Sequence, residues 1–160
     1  MNDYIVNHPQ FRKNTFGKNE VRIQTEIRPL IIEYLTNYFN EKGYKDFIGK
    51  AHKSFYWEGQ EGIDKSEKFK LFGSYNYPDF IIRTPYLFAI EYKKSSNGSL
   101  VKQGIGQSIM HTSSGNFDYV YYLFHDENKD KKIKKSSENL LEKDILQKAW
   151  HNHNVMMKFV

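Results

Sequence analysis

Asp79, Glu91 and Lys93 are the residues whose types and spacing could do chemistry. They lie in the run Tyr77-Pro78-Asp79-Phe80-Ile81-Ile82-Arg83-Thr84-Pro85-Tyr86-Leu87-Phe88-Ala89-Ile90-Glu91-Tyr92-Lys93. Strand residues i and i+2 project to one face of a sheet, so Glu91 and Lys93 point the same way. A three-residue turn at Thr84-Pro85-Tyr86 pairs Arg83 with Leu87, Ile81 with Ala89, Asp79 with Glu91 and Tyr77 with Lys93. That register places Asp79, Glu91 and Lys93 together on one face. Two converging carboxylates can hold a hard divalent cation such as Mg²⁺, which takes oxygen ligands and keeps several waters. A lysine beside them supplies positive charge where a phosphate transition state gathers negative charge. The chemistry implied is phosphodiester hydrolysis.

The register carries this reading. A two-residue turn at Thr84-Pro85 would pair Asp79 with Ile90 and send the two acids to opposite faces. The other face of the hairpin, Phe80, Ile82, Phe88 and Ile90, is apolar, as a strand packed on a core requires. The competing reading is an ordinary hairpin whose acids are solvated strand ends. An acid pair this close on one face is costly without a counter-ion.

Pro78-Asp79 followed by Glu91-Tyr92-Lys93 resembles the motif of the PD-(D/E)xK nuclease superfamily. The resemblance implies a restriction-endonuclease-like α/β fold, with a mixed central sheet flanked by helices and an αβββαβ core. It also implies a Mg²⁺-dependent endonuclease acting on DNA, with Mn²⁺ able to substitute. Asp79, Glu91 and the main-chain carbonyl of Tyr92 would be metal ligands, and Lys93 would activate water and stabilise the phosphorane. An RNA endonuclease with the same site, or an inactive nucleic-acid-binding module of the same fold, is the alternative. A homodimer would suit the cutting of two strands.

Two further positions enter through the same resemblance. Asn19-Glu20, a nearby arginine and then Pro29-Leu30 are similar to the first helix of the nuclease domain in type I restriction motor subunits. There a helix-borne Glu approaches the metal, so Glu20 would assist through a metal-bound water. On a helical wheel Glu20 falls within about 20° of the stripe centred on Ile27, Tyr34 and Tyr38. An acid there either contacts something buried and positive or reaches solvent, favoured by the helix dipole. Glu26 lies nearer the stripe's edge. Gln107, fourteen residues after Lys93, matches a glutamine that many members carry, with an aromatic four residues later. Here that later residue is His111. Gln107, or Gln103 one turn earlier, would orient water or phosphate.

The elements that must position these residues follow from periodicity. Residues 1–18 show no period and read as an irregular arm. Residues 19–40 carry Ile23, Ile27, Leu30, Ile31, Tyr34, Leu35 and Tyr38 at helical spacing, with Pro29 expected to kink or divide the helix and Gly43 to cap it. Phe55-Tyr56-Trp57 and residues 69–72 read as strands around a polar turn at 58–66. After a turn at Ser95-Ser96-Asn97-Gly98, residues 99–111 form a helix with Val101, Ile105 and Ile109 at four-residue steps. Gly104 and Gly106 there suit close packing on the sheet. Residues 117–124 form a nearly continuous apolar strand of the doubly covered kind. A lysine-rich loop, residues 129–135, precedes a last helix capped by Ser136 or Ser137, with Leu141, Ile145, Leu146, Ala149 and Trp150 as its buried stripe. Residues 155–160 read as a final strand. The pair His151 and His153, at i and i+2 near a helix end, diverges and reads as surface rather than metal-binding.

Composition sets outer bounds. The 160 residues suit a single domain with one core, here a nuclease domain spanning 1–160, and 39 % are apolar and 16 % aromatic, too many for a disordered chain. Lys and Arg number 24 against 19 Asp and Glu, for a net charge of +5. That excess is compatible with a polyanion such as DNA. The chain has no cysteine, which excludes disulfides, thiolate zinc sites and a catalytic thiol. No apolar run is long enough to span a bilayer and the first residues do not resemble a signal peptide, so a cytoplasmic location and no membrane partner are expected.

Overall fold

The computed structural model describes residues 1–9, 11, 19–58, 60, 69–71 and 73–160. Most of the polar turn expected at 58–66 therefore lies outside the described residues. The chain divides into two compact units, residues 1–56 and 57–160.

The first unit is helical. Helix α1 (Asn2–Asn7) stands where an irregular arm was expected; at six residues it is too short to show a period. Tyr4 joins it to α2 (Glu20–Glu41), its hydroxyl donating to Glu33 Oε1 and its ring 5.5 Å from that of Tyr34. Asn19 caps α2 by accepting from Arg22 N at 2.9 Å. The helix runs unbroken through Pro29, which lies on its exposed side. There a missing N–H costs one bond and buries no orphan carbonyl. The buried stripe is Ile23, Ile27, Leu30, Ile31, Leu35 and Phe39, while Tyr34 and Tyr38 are only half-buried. Gly43 ends the helix at φ 77°, and Tyr44 N reaches back to Phe39 O. This is the left-handed cap expected of glycine. Helix α3 (Phe47–Lys53) follows, capped by Asp46.

The second unit is α/β. A five-stranded mixed sheet has the order β1-β4-β5-β6-β7, formed by β1 (Phe55–Trp57), β4 (Phe80–Arg83), β5 (Leu87–Ser95), β6 (Tyr119–Asp126) and β7 (Val155–Phe159). The boundary between units falls within β1. Strands β4 and β5 pair antiparallel, whereas β5–β6 and β6–β7 are parallel. Each parallel link needs a crossover, supplied by α4 (Ser99–Ser113) and by α5 (Lys132–Ser136) with α6 (Leu140–His153). Strands β2 (Phe69–Leu71) and β3 (Ser74–Asn76) form a separate antiparallel pair, so residues 69–71 do not extend the main sheet. Val120, Tyr122, Leu123 and Phe124 of β6 are fully buried, as a central strand covered on both faces requires.

The helices depart from their expected faces. On α4 the residues buried against the sheet are Gly104, Ser108 and His111, with Val101, Ile105 and Ile109 half-exposed. Gly104 is needed for approach, since a Cβ there would overlap the Tyr122 ring; Gly106 is exposed with nothing near it. Residues 132–136 are a short helix rather than loop, started by Asp126, whose Oδ2 accepts from Ile133 N and Lys134 N. The cap of α6 is Asn139, accepting from Glu142 N at 3.0 Å, not Ser136 or Ser137. The expected stripe on α6 is largely uncovered: Leu141 is 72 % and Ile145 46 % exposed, and only Ala149 is buried. Among the described residues no helix is long and apolar enough to cross a membrane.

Candidate active site

The β4–β5 hairpin turns through Thr84-Pro85-Tyr86, held by Thr84 N and Thr84 Oγ1 donating to Tyr86 O at 2.9 and 3.0 Å. Arg83 pairs with Leu87, Ile81 with Ala89 and Phe80 with Ile90. The loop is therefore odd, and continuing the register by one step sets Asp79 beside Glu91. That continuation would put both acids on the face of Ile81 and Ala89.

Asp79 also ends the strand. Leu87 O and Ser95 O accept from Asp118 N and Glu127 N on the β6 side, so the main chain of Tyr92 points the other way, toward β4. By the same register Tyr92 stands opposite Pro78. Proline has no N–H, and the ladder stops there. In place of a main-chain carbonyl, Asp79 Oδ2 accepts from Tyr92 N at 2.6 Å, a short charge-assisted bond. Asp79 O in turn accepts from Glu58 N at 3.0 Å. These contacts hold the carboxylate at 7 % exposure.

Glu91 is more deeply set, at 3 % exposure. Its Oε1 lies 2.7 Å from His111 Nε2 and its Oε2 3.9 Å from Lys93 Nζ. An ionised carboxylate only accepts, so Nε2 carries the proton in this contact. His111 is buried on the inner face of α4, with its ring edge-on to Phe117 at 5.7 Å. The helix thereby lays a nitrogen donor over one acid while the strand lays an ammonium beside it. This gives a buried carboxylate the compensation it needs. Sequence spacing placed His111 one turn after Gln107 but could not assign it to Glu91. That contact depends on how α4 crosses β5.

Gln107 and Gln103 are separated by the structure. Gln103 is exposed, whereas Gln107 is half-buried and its Oε1 is buried with no hydrogen-bond partner among the described residues. An orphan carbonyl there is available to a water or other donor. Glu20 and Glu26 belong to the first unit, at the start of α2 and one and a half turns along it, and both are half-buried. His151 and His153 are exposed at the end of α6, as expected of a surface pair.

Among the described residues no three or more His, Asp or Glu side chains converge as a metal-holding group. The donors at hand are the Asp79 and Glu91 carboxylates and the Tyr92 carbonyl, whose residue's main chain points toward β4. Each carboxylate offers about four acceptor positions, more than one N–H donor occupies. An all-oxygen set short of six donors fits a hard cation that keeps several waters. No protein-family model matches this chain, and no curated protein or solved structure matches it.

Proposed function

We propose that this chain is a divalent-metal-dependent endonuclease that hydrolyses DNA phosphodiesters at the Asp79–Glu91–Lys93 face. The observation that carries the reading is the odd hairpin, with Phe80 opposite Ile90 and Arg83 opposite Leu87: continued by one step it would bring buried Asp79 opposite buried Glu91, whose Oε2 has an ammonium at 3.9 Å. Asp79, Glu91 and the Tyr92 carbonyl would hold Mg²⁺ or Mn²⁺. When bound, the cation supplies Lewis-acid polarisation of the phosphate and lowers the pKa of water.

The protein's own residues do the rest. Tyr92 N holds Asp79 in place, and His111 holds Glu91, so neither acid must reorganise when a phosphate arrives. Lys93, at the exposed end of the face, places its charge against the phosphate oxygens as they become more negative. Gln107 Oε1, buried and unsatisfied, accepts from the attacking water and orients it. The water oxygen bonds to phosphorus, the bond to the leaving oxygen breaks, and a proton ends on that oxygen. Exposed Lys129 and Lys135 provide charge for the polyanion. Lys131 keeps its charge but is tethered, its Nζ donating to Asp126 O at 2.7 Å.

The test is cleavage of supercoiled plasmid, linear duplex, branched and single-stranded DNA, and RNA, with Mg²⁺, Mn²⁺, Ca²⁺ or EDTA. Nicking that needs Mg²⁺ or Mn²⁺ and is lost in Asp79→Asn and Glu91→Gln supports the reading. Cleavage confined to RNA would move the substrate class while keeping the site. No cleavage, with nucleic acid still bound, would leave a binding module.

A further inference from the structure

A second site lies elsewhere on the sheet. A cavity of about 560 Å³ opens beyond the carboxyl ends of the three parallel strands, bounded by Ser96 and Asn97 after β5, Asn128 after β6 and Phe159 of β7. None of Asp79, Glu91, Lys93, Gln107 or His111 lines it. In open α/β sheets this crevice is where ligands settle, because the strand ends diverge and the following helix begins there. Its walls are apolar: Val101 and Ile105 from α4, Ile133 from α5, Ile145 and Leu146 from α6, and Phe159. The size and lining are those of a small-molecule pocket rather than a packing gap.

The polar lining is mostly uncharged Ser and Asn, and its charged groups are two lysines and one acid. Lys102 comes from α4 and Lys132 from α5, both exposed, and neither forms an ion pair among the described residues. The single acid, Glu142, is engaged by Ser136 Oγ at 2.8 Å. Gly98 and Ser99, at the N-terminal and positive end of the 15-residue helix α4, complete the rim.

The geometry points to a small anion with an apolar body, an alkyl or aryl carboxylate or phosphate ester, as the ligand of this cavity. The apolar part would regain the dispersion interactions that the six side chains lack across the open space. The acid group would sit between Lys102 and Lys132. This assignment is independent of the nuclease reading, and its test needs no cleavage.

The whole chain is titrated calorimetrically with octanoate, octyl phosphate, octanol and octylammonium. Octanoate or octyl phosphate should bind and raise the melting temperature, about fivefold more tightly than octanol, as two partly exposed lysines would provide. Octylammonium should bind least. Lys102→Ala with Lys132→Ala should erase the preference for the anion while leaving octanol binding unchanged. Ile105→Trp together with Leu146→Trp, verified as folded by circular dichroism, should weaken binding of every probe by narrowing the cavity. No anion binding at millimolar concentration, equal binding of octanoate and octanol, or unchanged octanoate binding in a folded cavity-filling variant would each overturn the assignment.

Discussion

Asp79 has two separable jobs, one in the fold and one in the chemistry, and two substitutions tell them apart. Asp79→Ala removes the acceptor 2.6 Å from Tyr92 N, in the middle of a residue with no solvent exposure. A buried donor left unsatisfied costs about 1–3 kcal/mol. With a urea dependence of about 1–3 kcal/mol per molar, the unfolding midpoint should fall by roughly 1 M. Asp79→Asn keeps an oxygen in place and loses only the charge. The bond weakens by about half, and stability should drop by less than about 1 kcal/mol. Cleavage should respond differently. Both variants lose an anionic oxygen for the cation, so both should cut at least about 100-fold more slowly. The decisive measurement pairs urea unfolding followed by circular dichroism with plasmid nicking in Mg²⁺. An Asp79→Asn protein that is stable and cuts at the wild-type rate would reduce Asp79 to a strand-end cap. An Asp79→Ala protein as stable as wild type would refute the hydrogen-bond account.

Four further outcomes are expected. Lys93→Ala should slow cleavage by about 100-fold or more while DNA affinity, read by fluorescence anisotropy, changes little; equal loss of both would make Lys93 a phosphate anchor. Gly104→Ala should destabilise the chain by about 1–3 kcal/mol in urea unfolding, because the Tyr122 ring must move to admit the new methyl; an unchanged midpoint would mean the ring has room. Burial and the nearby charges of Lys131 and Lys94 push His125 down to about 4 from 6.5, so the unfolded chain takes its proton first. Stability is then full above pH 6.5 and falls by roughly 1–2 kcal/mol toward pH 4, and His125→Gln should flatten that window in urea midpoints taken across it. Finally, Lys129→Gln, Lys134→Gln and Lys135→Gln together should flatten the dependence of log affinity on log salt by roughly 0.9 for each phosphate no longer neutralised, whereas an identical slope would leave these lysines as solvated surface.

The hairpin was legible because its determinants are local. Alternation at period two, an odd run of turn formers and an apolar opposite face leave one register that buries the right side chains. The register found, Arg83 with Leu87 and Ile81 with Ala89, is the one those rules require. Gly43 was legible for the same reason, since a left-handed cap is a property of a few adjacent residues. Helical periodicity, by contrast, says which residues share a face and nothing about what covers it. Leu141 and Ile145 recur as a buried stripe should, yet they remain exposed, while α4 turns Ser108 and His111 inward in place of its aliphatic residues. The short helix α1, below the length at which a period shows, was invisible. Only tertiary structure decided that the Asp79 carboxylate takes the Tyr92 N–H at the end of the ladder, that His111 holds Glu91 across twenty residues of sequence, and that strand ends and helices leave a walled cavity. Each of these depends on where one element crosses another, and crossing is set by the summed packing of many side chains rather than by any residue's own preference.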